Sequence, residues 1–299
     1  MQVVATLSLK GGVGKTTVAL GLAGAAQRHG VSTLVVDLDP QANATTALDP
    51  EPTTATVADV LDDPRSAVIR RAIAASGWGE DLDVLVGAEQ TERHNHPDPG
   101  VKQLHRLDKA LQRLASELRP ASGGNGDTGD DTGDAADRAD GADDGTAGGG
   151  PTEPYRLVVV DCPPSLGQLT RSALSAADRA ILVADPTMFS VSGVQRAFDA
   201  VQTERERSNP RLQPLGVLVN RVRPRNSEHE FRIGELRELF GPLVFGAVLP
   251  DRSAVQQAQG ACLPIQSWDT PGAREVSAVF TSLLGRVLRS GRTRPSPSS

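Results

Sequence analysis

The 299-residue chain is predicted to fold as a doubly wound α/β domain, a mostly parallel sheet with helices on both faces. Three observations predict it. Short, near-continuous apolar runs rich in valine and leucine recur along the chain, as strands buried on both faces require. Segments with helical spacing separate those runs. The first 37 residues alone read strand, glycine-rich loop, helix, strand, which is a complete βαβ unit.

In chain order, Val3 to Leu7 is the first strand, and the glycine-rich loop follows. Val18 to His29 is an alanine- and leucine-rich helix closed by Gly30, and Val31 to Val36 is the second strand. Thr56 to Leu61 and Ala67 to Ala75 read as helices, and Leu82 to Val86 as a short strand. Leucines 104, 107, 111, 114 and 118 trace one face of an amphipathic helix from Leu104 to Leu118. Leu157 to Asp161 and Ala180 to Ala184 are buried strands. Then come a helix (Gln195 to Arg207), a strand (Leu215 to Asn220), a helix (Glu228 to Phe240), a strand (Val244 to Leu249) and a closing helix (Ala273 to Leu288).

Residues 121–151 break this rhythm with ten glycines, eight aspartates and one arginine. A segment with so little apolar surface cannot offset its ordering entropy, so a disordered insertion within a single domain spanning 1–299 is expected. A flexible tail is expected over 290–299. The net charge is −6, of which the insertion carries −7, so the folded body is close to neutral. The insertion precedes a strand and should therefore lie at the end of the sheet away from the ligand-binding end. It reads as a spacer, the alternative being a regulatory segment that folds over a basic surface.

Global acidity argues against coating nucleic acid by bulk charge but leaves local basic patches open. Cys162 and Cys262 stand 100 residues apart, which excludes a disulfide framework, a zinc ribbon and a redox pair. No apolar run approaches a membrane span, and no charged leader opens the chain. A cytoplasmic location is expected.

The chemistry concentrates in Lys10-Gly11-Gly12-Val13-Gly14-Lys15-Thr16-Thr17, between the first strand and the first helix. A glycine-rich turn there lets backbone amides close around phosphates while the helix adds its positive dipole end. Lys15 would reach the β- and γ-phosphates of ATP and the Thr16 hydroxyl would ligate Mg2+. The first glycine of the usual G-x-x-x-x-G-K-[ST] pattern is replaced by Leu9. Lys10 adds a second cation near a triphosphate, acting in cis or in trans. Asp37 and Asp39 close the second strand, where they read either as a helix-capping turn or as contacts to metal and attacking water. Asp161 ends an apolar strand and would hold Mg2+ through water. Cys162 follows it and is read as a buried thiol rather than a nucleophile.

Together, Lys10 to Thr17, Asp37-Leu38-Asp39-Pro40-Gln41-Ala42-Asn43 and Asp161-Cys162-Pro163-Pro164-Ser165 resemble the ParA/MinD superfamily of P-loop ATPases, and most closely its ParA (Soj) branch. The resemblance covers nearly the whole chain outside 121–151 and the last ten residues. It implies ATP and Mg2+ as cofactors and a nucleotide-sandwich homodimer in which Lys10 reaches the partner's phosphates. It also implies that Asp39 orients the hydrolytic water, that Asp37 supports the metal shell, that Asn220 contacts adenine and that the loop at Pro250 and Asp251 closes over the base. Departures are Leu9 and the segment Pro186-Thr187-Met188-Phe189-Ser190, which lacks the acidic and aromatic residues often seen there.

Arg221, Arg223 and Arg225 crowd one loop stiffened by Pro224. They read as a nonspecific DNA phosphate patch or as a solvated loop in an arginine-rich chain; the resemblance favours the former, with Arg225 the nearest match. A C-terminal end of the composition Arg292-Thr293-Arg294-Pro295-Ser296-Pro297 cannot form a membrane-binding amphipathic helix. The implied function is DNA partition: an ATP-dependent dimer on the nucleoid, released by hydrolysis that a ParB-like centromere-binding protein stimulates. The alternatives are a protein-cargo positioning ATPase that ignores DNA, and a nucleotide-locked scaffold with negligible turnover.

Overall fold

The computed structural model describes residues 1–97, 99–116 and 154–291. The acidic insertion at 121–151 and residues 292–299 of the expected tail lie outside the described residues. The strands are β1 (Gln2–Leu7), β2 (Thr33–Asp37), β3 (Ile73–Ala75), β4 (Leu82–Leu85), β5 (Leu157–Asp161), β6 (Arg179–Ala184) and β7 (Gln213–Val219). They form one sheet in the order β3-β4-β2-β5-β1-β6-β7. Every pairing is parallel except β3 with β4. The expected doubly wound architecture is therefore present.

Alternation along the strands explains the two helical layers, because successive side chains leave a strand on opposite faces. Val3, Ala5, Val158 and Val160 pack on one side, against Leu107 and Leu111 of α6 (Arg106–Ser116), Leu169 and Ala173 of α7 (Gln168–Ala176), Val194 and Val201 of α8 (Ser190–Arg207), and Leu236 of α9 (Ser227–Phe240). Val4 and Val159 point the other way, toward α1 (Lys15–Arg28) and α11 (Pro271–Gly291). The helix α1 ends as its glycine suggests: Gly30 has φ +61° and its amide bonds the Gln27 carbonyl at 2.9 Å.

Three expected elements differ. The helix foreseen through Ala75 stops after α4 (Ser66–Ala72), because Ile73–Ala75 pairs antiparallel with β4 and covers an otherwise bare sheet edge. The helix expected from Leu104 to Leu118 begins only at Arg106 (α6), Leu104 instead ending a separate turn, α5 (Val101–Leu104), with His105 between them, whose Nδ1 lies 2.9 Å from Ser175 Oγ; residues 117–118 lie outside the described residues. Val244 to Leu249 is not a strand: a bend at Gly246 and Ala247 leaves only bridges, Val217 with Val244 and Val222 with Pro250. Helices α2 (Asn43–Leu48), α3 (Val57–Asp62) and α10 (Ser253–Gly260) complete the chain. α11 runs through Gly291, two residues into the expected tail.

α1 and α11 meet through Gly21 and Phe280, whose ring is fully buried. A methyl group at Gly21 would lie 2.1 Å from the ring. Overpacking of that kind costs about 1–3 kcal/mol, which exceeds the roughly 1 kcal/mol of helix propensity that alanine gains over glycine. Gly21→Ala should therefore lower stability in chemical denaturation, and adding Phe280→Leu should recover part of the loss. An unchanged or raised midpoint in Gly21→Ala would show that the helices separate without cost.

Candidate functional site

The glycine-rich loop sits at the carboxyl end of β1, between the exits of β5 and β6, at the end of the sheet where doubly wound folds bind ligands. Gly12 and Gly14 have φ of +76° and +94°, conformations that a side chain disfavours. Gly14 is also sterically obligatory, since a Cβ there would fall 2.2 Å from Asn220 Nδ2. That amide donates to the Val13 carbonyl at 2.7 Å and pins the loop to the end of β7. Among the described residues, the amides of Gly11 to Thr16 donate to no protein acceptor. They gather at the N-terminus of α1, which carries no acidic residue in its first turn. Lys15 is 6% exposed and makes no ion pair among the described residues. A buried ammonium beside free amides at a helix N-terminus is a receptor for a multiply charged anion.

The carboxylates stand beside it. Parallel pairing of β2 with β5 sets Asp37 in register with Asp161, and both are fully buried. Thr16 Oγ1 donates to Asp161 Oδ2 at 2.7 Å. Desolvation first, and then repulsion from Asp37, push the Asp161 carboxyl up to about 8; desolvation raises Asp37 to about 6 against two hydrogen bonds from Thr45. Asp39 is 7% exposed, donates its amide to Asp37 Oδ1 and accepts from the Gln41 amide at 3.1 Å. Among the described residues no three acidic, histidine or cysteine side chains converge on one point. A cation here would draw on the Thr16 hydroxyl, the two carboxylates and oxygens of the anion itself, the oxygen-rich set that suits Mg2+. Cys162 is buried and desolvation pushes its thiol far up, so it is no nucleophile.

The remaining sites separate. Lys10 Nζ pairs with Asp185 Oδ2 at 2.7 Å and donates to Thr187 Oγ1 at 3.2 Å, so the loop's second cation is held in cis. Pro250 bridges Val222 rather than the glycine loop, and Asp251 accepts from Arg223 Nε at 2.8 Å. Arg221, Arg223 and Arg225 are all exposed; Arg223 is paired with Asp251, whereas Arg221 and Arg225, each with φ +58°, make no ion pair among the described residues. Two contributors escaped the sequence. Asp185 carries no pattern beyond a strand end, and Gln259, whose Nε2 lies 3.2 Å from Thr17 Oγ1, is on α10, which has too little apolar periodicity to stand out.

The raised carboxyl of Asp161 has a measurable consequence. Between about pH 4 and its folded pKa of about 8, the folded chain keeps a proton that the unfolded chain has released. Stability of the ligand-free protein therefore falls as pH rises through that window. The melting temperature should be higher near pH 5 than near pH 8, and Asp161→Asn should raise it near pH 8 and flatten the profile. Parallel melting curves for the two proteins would refute this.

The sequence matches the family described as the CobQ/CobB/MinD/ParA nucleotide binding domain over residues 4–265. It is 29% identical over 297 residues to the chromosome partitioning protein ParA of Caulobacter vibrioides, covering 98% of this chain and 96% of that protein. It is 30% identical over 286 residues to the chromosome-partitioning ATPase Soj of Thermus thermophilus, covering 95% and 96%. Among solved structures, cobyrinic acid a,c-diamide synthase of Mycobacterium smegmatis with bound ADP and magnesium is similar with a TM-score of 0.69 at 24% identity over the whole of both chains. An ATP complex of a Cyanothece McdA variant gives 0.72 at 18% identity, covering 95% of this chain and 96% of that one. Those two likenesses concern the fold. Glycine loop, strand-end aspartates and Asn220 all lie inside the matched span, and the chain belongs to the CobQ/CobB/MinD/ParA family of nucleotide-binding domains.

Proposed function

We propose that the chain is a Mg2+-dependent ATPase that acts as a DNA-partition switch. The observation that supports it most is Lys15, a buried ammonium that makes no ion pair among the described residues, set among free amides and close enough to the buried Asp161 carboxyl to lower its pKa. The amides of Gly11 to Thr16 cradle the β-phosphate, Lys15 spans the β- and γ-phosphates, and the Thr17 hydroxyl supports the far side of the loop. Thr16, Asp161 and Asp37 hold the metal, which when bound offsets charge on the transferring phosphoryl group. Asp39 orients the water whose oxygen bonds to the γ-phosphorus as the bond to the bridging oxygen of ADP breaks. Asn220 and the loop at Pro250 and Asp251 flank the base.

In this cycle two ATP-bound copies close face to face and Lys10 serves the partner's nucleotide. Lys10 must then leave Asp185. Its side chain is 41% exposed, and an ion pair of that exposure is worth about 0–1 kcal/mol. A triphosphate therefore outcompetes it readily. Asp185→Asn should lower the ATP concentration needed for half-maximal dimerisation by up to about fivefold; light scattering against ATP would read it, and a raised requirement would instead make Asp185 a support for the dimer.

Arg221 and Arg225 provide the nonspecific phosphate contacts, on a loop that Asn220 joins directly to the nucleotide loop. A ParB-like partner would stimulate hydrolysis and release the nucleoid-bound dimer. Retention on DNA should appear with ATP·Mg2+ only, fall steeply with salt and vanish in Lys10→Ala. Replacing both Arg221 and Arg225 by alanine removes four arginines from the dimer and should weaken retention and reduce the log–log salt slope by up to about 4. ATP turnover without DNA retention at any salt would overturn the DNA role and favour protein-cargo positioning. Asp39→Ala should abolish turnover while keeping nucleotide; unchanged turnover would point to a nucleotide-locked scaffold.

A further inference from the structure

Asp37 is fully buried, and among the described residues no lysine or arginine pairs with it. Its side chain is nevertheless held on two sides. Thr45 donates to the same oxygen, Asp37 Oδ2, twice: from its backbone amide at 2.8 Å and from its hydroxyl at 2.9 Å. The same hydroxyl accepts the amide of Gly87 at 2.8 Å, just beyond the end of β4. Gly87 closes the other side. A Cβ at that position would lie 2.7 Å from Asp37 Cγ and 2.9 Å from Oδ2, so only glycine lets this backbone approach the carboxylate. The other oxygen, Oδ1, accepts from the Asp39 amide.

The chain bends sharply to make this possible. Ala42 adopts a left-handed conformation, φ +52°, immediately before α2, and its amide bonds the Asp39 carbonyl. The turn folds α2 back over the end of β2, so that Thr45 returns to a residue eight positions earlier. A non-glycine residue keeps such a conformation only where the surrounding contacts hold it there. One hydroxyl therefore joins three elements, the end of β2, the start of α2 and the exit of β4, at a single carboxylate.

We propose that Thr45 is a positioning residue: with Gly87 it fixes the orientation of the Asp37 carboxylate for the metal of the nucleotide site. The proposal rests on the nucleotide reading above and adds a residue to it. Removing the hydroxyl leaves the Asp37 oxygen one donor short and the buried Gly87 amide without its acceptor, so the carboxylate is held only by the backbone amides of Thr45 and Asp39 and its link to the exit of β4 is lost. Loss of such supporting hydrogen bonds typically weakens a metal site 10–100-fold.

The test measures binding of a fluorescent ADP to the full chain as a function of Mg2+, with no turnover required. Thr45→Val should need about 10–100-fold more Mg2+ for half-maximal response, with Mg2+-free nucleotide affinity unchanged. Thr45→Ser, which keeps the hydroxyl, should follow the wild type. Gly87→Ala displaces the carboxylate with Thr45 intact and should reproduce the valine defect; it carries the test if Thr45→Val fails to fold. A valine variant with wild-type Mg2+ dependence would overturn the proposal, and so would a serine variant as impaired as valine, which would place the effect in packing. A wild-type protein whose nucleotide binding ignores Mg2+ would bring down the metal reading of the site together with this proposal.

Discussion

Two acidic side chains, Asp37 and Asp161, are buried next to each other at the ends of adjacent parallel strands, and the surrounding structure is arranged around that conflict. Burial away from water is the main reason both carboxyls sit above their ordinary range, and repulsion from Asp37 adds to it at Asp161. Nothing in packing requires aspartate there, since valine continues both strands on the residues before. What the pair does offer is a concentrated oxygen-rich corner one hydrogen bond from Thr16, beside the ammonium of Lys15. Positive charge supplied by a ligand relieves the repulsion, so the site is destabilised when empty and gains when filled. Binding and stability are thereby coupled through the same two residues.

The neighbouring contacts hold that corner rigid. Asn220 ties the glycine loop to the end of β7 through Val13, Gln259 reaches Thr17 from α10, and Thr45 grips Asp37 from α2. Each comes from a different element, and each ends on the nucleotide loop or on a carboxylate beside it. The same arrangement links outward. Asn220 is followed directly by the arginine loop, and Val222 and Arg223 hold the segment at Pro250 and Asp251. A change at the glycine loop therefore has a continuous covalent and hydrogen-bonded route to an exposed, positively charged surface. On the opposite side, Asp185 and Thr187 hold Lys10 at the start of α8, next to exposed Met188 and Phe189. That exposed apolar pair lies beside the lysine that the family resemblance assigns to a partner copy.

Most of the sheet was legible because buried strands write themselves as runs: Val3 to Leu7, Leu157 to Asp161 and Ala180 to Ala184 all became strands within a residue or so of expectation. The site's inner ring was legible for a related reason. Asp37 and Asp161 end β2 and β5, Lys15 and Thr16 open the helix that follows the loop from β1, and a parallel sheet brings those three strand exits to one end. Elements governed by long-range pairing were not legible. Ile73–Ala75 reads as helix until the bare edge of β4 claims it, and Val244 to Leu249 is an apolar run like a strand but is bent at Gly246 and Ala247.

The sequence by itself thus determined the layer architecture, the glycine-rich loop and the placement of the acidic residues at strand ends, since these depend on local periodicity and on residue types at strand ends. Tertiary structure alone decided where the second lysine rests, which arginines stay free and what steadies Asp37. Lys10 meets Asp185 across 175 positions, Arg223 meets Asp251 across 28, and the Thr45 hydroxyl meets the Gly87 amide across 42. Contacts of that kind are set by how strands order themselves in the sheet, and no short stretch of sequence encodes that order.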